Sequence, residues 1–388
     1  MKMKKLSIGM GIALCAAFGF MLTSCEGSKK ITYLDENGEE QTVTVKKSSD
    51  SEEIANSLTA LVYSKGSTKF KPNGVGISAS VEANLSGVQV SNNKKFNYGG
   101  SASAKAMFTF GDYEKTENDE SILAYAEVNA SVKVPTAAFD VINNSGSLIA
   151  NDVLLTSLSE TEIDYTETTT VSAKARAYGN KDGIYVNLQK LDVPYDKIEQ
   201  LKKYKQVIEN NFIGKYAKID ENLVPELSIL SSLGEYAKSY YSMYEGDSTF
   251  VDYVYGMARS ELSSTEFKEN LKNSLDNGLN LVISSVDGNK ITLKYSFASK
   301  DPQEGDYAGK SYVSVSFDMV KKVPTAVKAD LGDYANYYLD QKFDGQELPV
   351  KDYKATLKGS VEFSYSPKVP KISKKDADNA FDISALMS

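Results

Sequence analysis

The chain has 388 residues, of which 44 are basic and 52 acidic, with a net charge of −8 and neither histidine nor tryptophan. An acidic chain without a basic block is a poor partner for nucleic acid or for an anionic membrane surface. The missing histidine excludes Ser-His-Asp and Cys-His nucleophiles and His-ligated zinc or haem.

The first residues have the layout of an export signal. Lys2, Lys4 and Lys5 form a basic head, residues 6–21 are almost wholly apolar, and Leu22-Thr23-Ser24-Cys25 closes the segment. The run is short for a membrane span, which needs roughly 20 apolar residues. Small residues before a cysteine resemble a bacterial lipobox, in which the chain is cut before Cys25 and lipid is attached to its sulfur. Cys15 also lies in the run, but Leu14 before it is too bulky for that cleavage. The expectation is a signal peptide over 1–24, and a lipidated tether with a short hairpin over 25–50. The body would then be extracytoplasmic, anchored to the cell membrane, or to an outer membrane where the host has one. Two or three acyl chains make such an anchor stable, whereas one does not.

Removing that segment leaves 41 basic residues against the same 52 acids and no cysteine. The remainder has no disulfide, thiol nucleophile or iron–sulfur ligand set. It also lacks a glycine-rich phosphate loop. Carboxylate chemistry needs only two facing acids, and no pair stands out. A non-enzymatic protein without metal or cofactor is expected. Asp35-Glu36-Asn37-Gly38 resembles the start of a calcium loop, but the downstream ligands are missing. The spacing predicts instead a hairpin turn at Asn37-Gly38 between 31–34 and 42–45.

A helix is predicted over 51–65, with Ile54, Leu58, Leu61 and Val62 at helical spacing. The period then drops to two. Val75 to Leu85, Ala102 to Phe110 and Ala124 to Val134 each set an apolar row against a polar one, and Val171 to Ala177 continues the rule. This pattern marks long antiparallel strands with one apolar and one wet face. Asn180-Lys181-Asp182-Gly183 predicts a hairpin into 184–188. Helical spacing returns over 194–211, 224–245, 250–259 and 265–277. Strands resume at 279–286, 290–297, 312–319, 323–331 and 353–365. The tail, 367–388, opens on prolines and then becomes charged. The order helix, strands, helices, strands predicts an α+β domain over 51–366. A large curved antiparallel sheet would pack on a helical insert at about 193–278.

In element order the chain resembles the bacterial carrier-like lipoproteins of the LolA/LolB and LppX type. Two segments carry the likeness. Lys181-Asp182-Gly183-Ile184-Tyr185-Val186 resembles the group's Asp-Gly-x-Tyr hairpin before the helical insert. Phe317-Asp318 through Lys322-Val323-Pro324 resembles its strand, Asp-containing turn and proline-led return strand. The likeness spans about residues 50–366 and implies a half-barrel whose helices close over the concave face, often around an apolar cavity. The chain is longer than a minimal carrier of this kind.

Two roles follow. Alanine is abundant on the apolar rows, where small side chains either admit helices closely or leave room for an acyl chain. A cavity would be lined by Ala104, Ala126 and Ala130, with Tyr236, Tyr240 and Tyr244 from the insert, their hydroxyl tips suited to an amphipathic ligand. Such a chain would carry a lipid or other apolar molecule. With a filled core, it would instead be a surface interaction or scaffold protein whose polar strand faces contact a protein or polysaccharide.

Overall fold

The computed structural model describes residues 27–65, 74–89, 94–109, 123–136, 139, 167–180, 183–219, 256, 259–298, 306–343 and 350–382. In chain order the elements are β1 (Ser28–Leu34), β2 (Glu40–Lys46), α1 (Ser51–Tyr63), β3 (Gly74–Gln89), β4 (Lys94–Thr109), β5 (Leu123–Pro135), β6 (Thr168–Asn180) and β7 (Gly183–Asp192). There follow α2 (Glu199–Lys202), α3 (Lys205–Asn211), β8 (Tyr216–Ile219), α4 (Ser264–Asp276), β9 (Leu281–Asp287), β10 (Lys290–Ser296), β11 (Tyr312–Asp318) and β12 (Val323–Asp330). The last are α5 (Gly332–Phe343), β13 (Val350–Ser364), α6 (Lys374–Asp378) and β14 (Phe381–Asp382). The α+β reading holds at this level: strands dominate, nearly all pairings are antiparallel, and the helices are few. The helix predicted over 224–245, and most of that over 250–259, lie outside the described residues.

The structure departs from the sequence reading in three places. Residues 194–211 do not form one helix. They give two short helices, and Tyr204 and Val207 of their apolar spacing stand exposed. Five residues after Asn211 the chain enters β8, which no alternation marks because it is only four residues long. Helix α5 was also unforeseen. It begins one residue after Leu331, and its three tyrosines are weak markers of either a helix or a strand.

The chain divides into two compact units, each discontinuous in sequence. The first comprises residues 1–72, 238–334 and 359–364. Its antiparallel strands β9 to β12 pair in sequence order, and β1 and β2 form a separate hairpin. The predicted turn at Asn37-Gly38 occurs where expected. Gly38 (φ 81°) closes the β1–β2 loop, and Gly288 (φ 56°) closes the β9–β10 loop, both in left-handed conformations that cost glycine little.

Helix α1 is held at both ends. At its start, the Asp50 carboxylate accepts the Glu53 N–H at 2.9 Å. Ile54, Leu58, Leu61 and Val62 are buried, and α1 packs on α4, whose Phe267, Leu271 and Leu275 follow one another at four-residue spacing. At its end, the carbonyl groups of the last turn have no partner within the helix. Two cations supply donors. Arg259 donates from Nε to the Val62 carbonyl at 2.8 Å and from Nη2 to the Ser64 carbonyl at 3.0 Å. Buried Lys322 donates to the Leu61 carbonyl and the Ser64 hydroxyl. A positive charge there also suits the helix dipole. Lys322 reaches this position from the β11–β12 turn in a left-handed backbone conformation (φ 58°), uncommon for a residue with a Cβ. Asp318 shapes that turn by accepting the N–H groups of Val320 and Lys321 at 3.0 and 2.9 Å.

The acidic turn of the β1–β2 hairpin is used in the same manner. Asp35 accepts the N–H groups of Asn37 and Glu39 within its own loop. Glu36 receives the hydroxyls of Ser264 and Thr265 at the N-terminus of α4, and these bonds hold its carboxyl down at about 2. The carboxylates that resembled a calcium loop therefore serve as turn and helix-terminus acceptors.

The second unit comprises residues 73–237, 335–358 and 365–388. Its strands follow the order β14-β8-β7-β6-β5-β4-β3-β13, antiparallel except for β14 against β8. From β3 to β7 neighbouring strands pair directly, the register shifting once, between Lys174 and Ala175. The predicted hairpin at residues 180–183 closes on the pair Asn180 and Gly183.

Two outcomes are expected for the first unit. Lys322→Met leaves the Leu61 carbonyl without its buried donor and should destabilise the chain by about 1–3 kcal/mol, read as a lowered urea midpoint. Glu36 is ionised at a lower pH folded than unfolded, so its contribution is complete above its ordinary value near 4.5 and is lost as pH falls towards about 2. Urea titrations from pH 7 to pH 2.5 should therefore show a smaller acid loss in Glu36→Gln than in the wild type.

Candidate functional site

The register of the second unit, direct from β3 to β6 and shifted once between β6 and β7, places residues of like kind in rows across the strands. One row runs Val75, Phe108, Ala124, Gly179 and Ile184, and the next runs Ile77, Ala106, Ala126, Ala177 and Val186. Ala104 lies between Ala79 and Val128, and Ala130 between Ala102 and Ala173. Cross-strand neighbours on one face have Cβ atoms about 4.5–5.5 Å apart, so a row of alanines lies as a shallow floor between bulkier residues.

That floor forms an apolar trough of about 340 Å³, bordered by Val75, Ile77, Phe108 and Ile184 around Ala106, Ala124, Ala126 and Ala177. Met107, Tyr125 and Gly179 also border it. Ala126 thus sits where the sequence places a cavity-lining residue. Ala130 is half-buried on the same face and Ala104 is exposed there, and neither borders the trough. Cys25, Tyr236, Tyr240 and Tyr244 lie outside the described residues. The apolar face extends past the trough through large exposed side chains: Ile77 is 38 % accessible, Val81 48 %, Val128 48 % and Val132 48 %.

The opposite face, expected to be merely wet, carries a buried cluster. Met107, Tyr125, Tyr178 and Tyr185 stand opposite one another on β4, β5, β6 and β7. The three tyrosines and Tyr216 on β8 are buried together, and Met107, Val369, Ile372, Ala377 and Ala380 pack against them. The rings of Tyr125 and Tyr178 meet edge-on with centroids 5.2 Å apart, and Tyr178 and Tyr216 are 6.1 Å apart. The C-terminal segment, with helix α6 capped by Ser373, thus covers a tyrosine cluster. The sequence did hold a signal for it: Tyr125, Tyr178 and Tyr185 fall on the polar parity of three successive strands, where a large amphipathic ring needs a partner.

Charged groups rim this cluster. The Tyr125 hydroxyl donates to Glu127 at 2.7 Å. Burial first, and that bond second, push the Tyr125 phenol up. The same bond holds the Glu127 carboxyl below the usual carboxylate range. Lys174 approaches Glu127 at 3.7 Å. The Arg176 guanidinium carbon lies 5.7 Å from the ring centres of both Tyr178 and Tyr216.

Among the described residues, no group of three His, Cys, Asp or Glu side chains is placed to hold a metal ion. No described helix is long and apolar enough to cross a membrane. Comparison with protein-family models and with curated proteins gives no match.

Proposed function

We propose that this chain is an extracytoplasmic lipoprotein, anchored through Cys25, that binds a lipid or other apolar molecule on the apolar face of β3 to β7 without catalysing a reaction. The observation that carries this reading is the alanine-floored trough of about 340 Å³. Among the described residues its walls offer no charge. Its volume lies at the lower end of the roughly 300–1,000 Å³ typical of small-molecule sites, enough for part of an acyl chain. In this reading the sheet is the half-barrel of the LolA/LppX-type carriers.

The exposed Val81, Val128 and Val132 also support a second reading, in which the same face contacts a protein or polysaccharide partner. An apolar strip left open to water is a contact surface as readily as a ligand wall.

Native mass spectrometry separates the two. Residues 27–388, produced in a lipid-containing host without detergent, should carry an apolar adduct that organic extraction releases. Ala126→Phe fills the floor of the trough and should lower adduct occupancy at least about fivefold, while the urea midpoint stays close to that of the wild type. A clean mass in both chains favours the partner-binding reading. The anchor has its own test: Cys25→Ser should abolish incorporation of a labelled fatty acid and release the full chain from the membrane fraction.

A further inference from the structure

Arg176 is one of only two arginines in the chain, and the two are served very differently. Arg259 donates from Nε to a backbone carbonyl at 2.8 Å. The Nε of Arg176 is buried and has no hydrogen-bond partner among the described residues. A buried donor without an acceptor is costly, the more so on a charged group.

The carboxylate best placed to answer it is turned elsewhere. Glu127 stands directly opposite Arg176 in the β5–β6 register. Its Oε2 accepts the Tyr125 hydroxyl at 2.7 Å, its Oε1 the Asn129 side-chain N–H at 3.3 Å, and Lys174 neutralises it at 3.7 Å. Asp376, on the segment that packs over this face, accepts the Ser373 hydroxyl at 2.7 Å. Among the described residues no carboxylate comes within ion-pair distance of the Arg176 guanidinium. Tyr178 and Tyr216 fix its position through their ring faces, an interaction that holds a cation without using its N–H groups.

A planar fork of N–H donors, held on aromatic rings and lacking a counter-charge among the described residues, fits an anion with two coplanar oxygens. We propose that Arg176, held by Tyr178 and Tyr216, anchors a carboxylate-binding site on the tyrosine face of the second unit. This site lies on the other side of the sheet from the apolar trough and does not depend on that trough binding anything. The flanking rings favour a carboxylate carried on an apolar or aromatic body over a bare inorganic ion.

The test uses the full chain, labelled with ¹⁵N-arginine and held in non-ionic detergent, with nuclear magnetic resonance of the arginine Nε–H groups. Acetate, benzoate and inorganic phosphate are titrated in turn at constant ionic strength. The expected result is one Nε–H resonance that moves downfield and saturates with the carboxylates, benzoate binding more tightly than acetate and phosphate more weakly than either. Arg176→Lys identifies the resonance by removing it, and the Arg259 signal stays still because its Nε is already engaged. In that variant, benzoate affinity measured by calorimetry should fall at least about tenfold. Absence of a saturable shift in wild type, or equal drift of both arginines, overturns the site. Saturation by phosphate at least as tight as by benzoate overturns its assignment to carboxylates.

Discussion

The cross-strand register from β3 to β7, shifted only once, is the constraint on which the second unit rests. Because side chains alternate strictly along a strand, fixing one pair fixes which face every other residue occupies. With Ala106 opposite Ala126 and Ala126 opposite Ala177, the alanines are forced into rows, and Met107, Tyr125 and Tyr178 are forced into a row on the reverse side. A slip by one residue at any of these strands would put tyrosines into the trough and open the cluster to water. The trough, the tyrosine cluster and the placement of Arg176 are thus consequences of one hydrogen-bonding pattern.

The two faces divide the work of stability in an unexpected way. On the apolar face several large side chains remain exposed, so these long strands gain little from it among the described residues. The other face buries four tyrosines beneath the C-terminal segment. Aromatic rings remove far more surface from water than alanine does, which explains how nominally polar parities become the better packed side. Their hydroxyls need partners, and Glu127 meets the one on Tyr125.

The first unit depends on charge placed at helix ends. Helix α1 ends in carbonyls that only donors can satisfy, and Arg259 and Lys322 arrive there from positions about 200 and 260 residues later. Helix α4 starts beneath the Glu36 carboxylate in the same unit. A hairpin turn and a strand turn, both far from these helices in sequence, thereby fix where the helices begin and end.

Sequence alone determined the local forms. The period-two rows at 75–85, 124–134 and 171–177, the helical spacing of Ile54, Leu58 and Leu61, and the Gly38 and Gly288 turns are legible because side-chain periodicity and glycine chirality act over a few residues. Alternation also singled out Ala126 as a residue of the apolar floor. It did not show that the polar parity would be the packed one, since that depends on residues 369–380 returning across β5 to β8. Strand β8 was equally hidden, because four residues carry too little periodicity to tell helix from strand, and the helical spacing over 194–211 did not show that the helix would break into α2 and α3. That the Arg176 Nε finds no hydrogen-bond partner among the described residues was decided by tertiary structure alone. Whether a charge finds its counter-charge depends on where the neighbouring strands direct Glu127 and Lys174, and pairing across strands leaves no mark within any one of them.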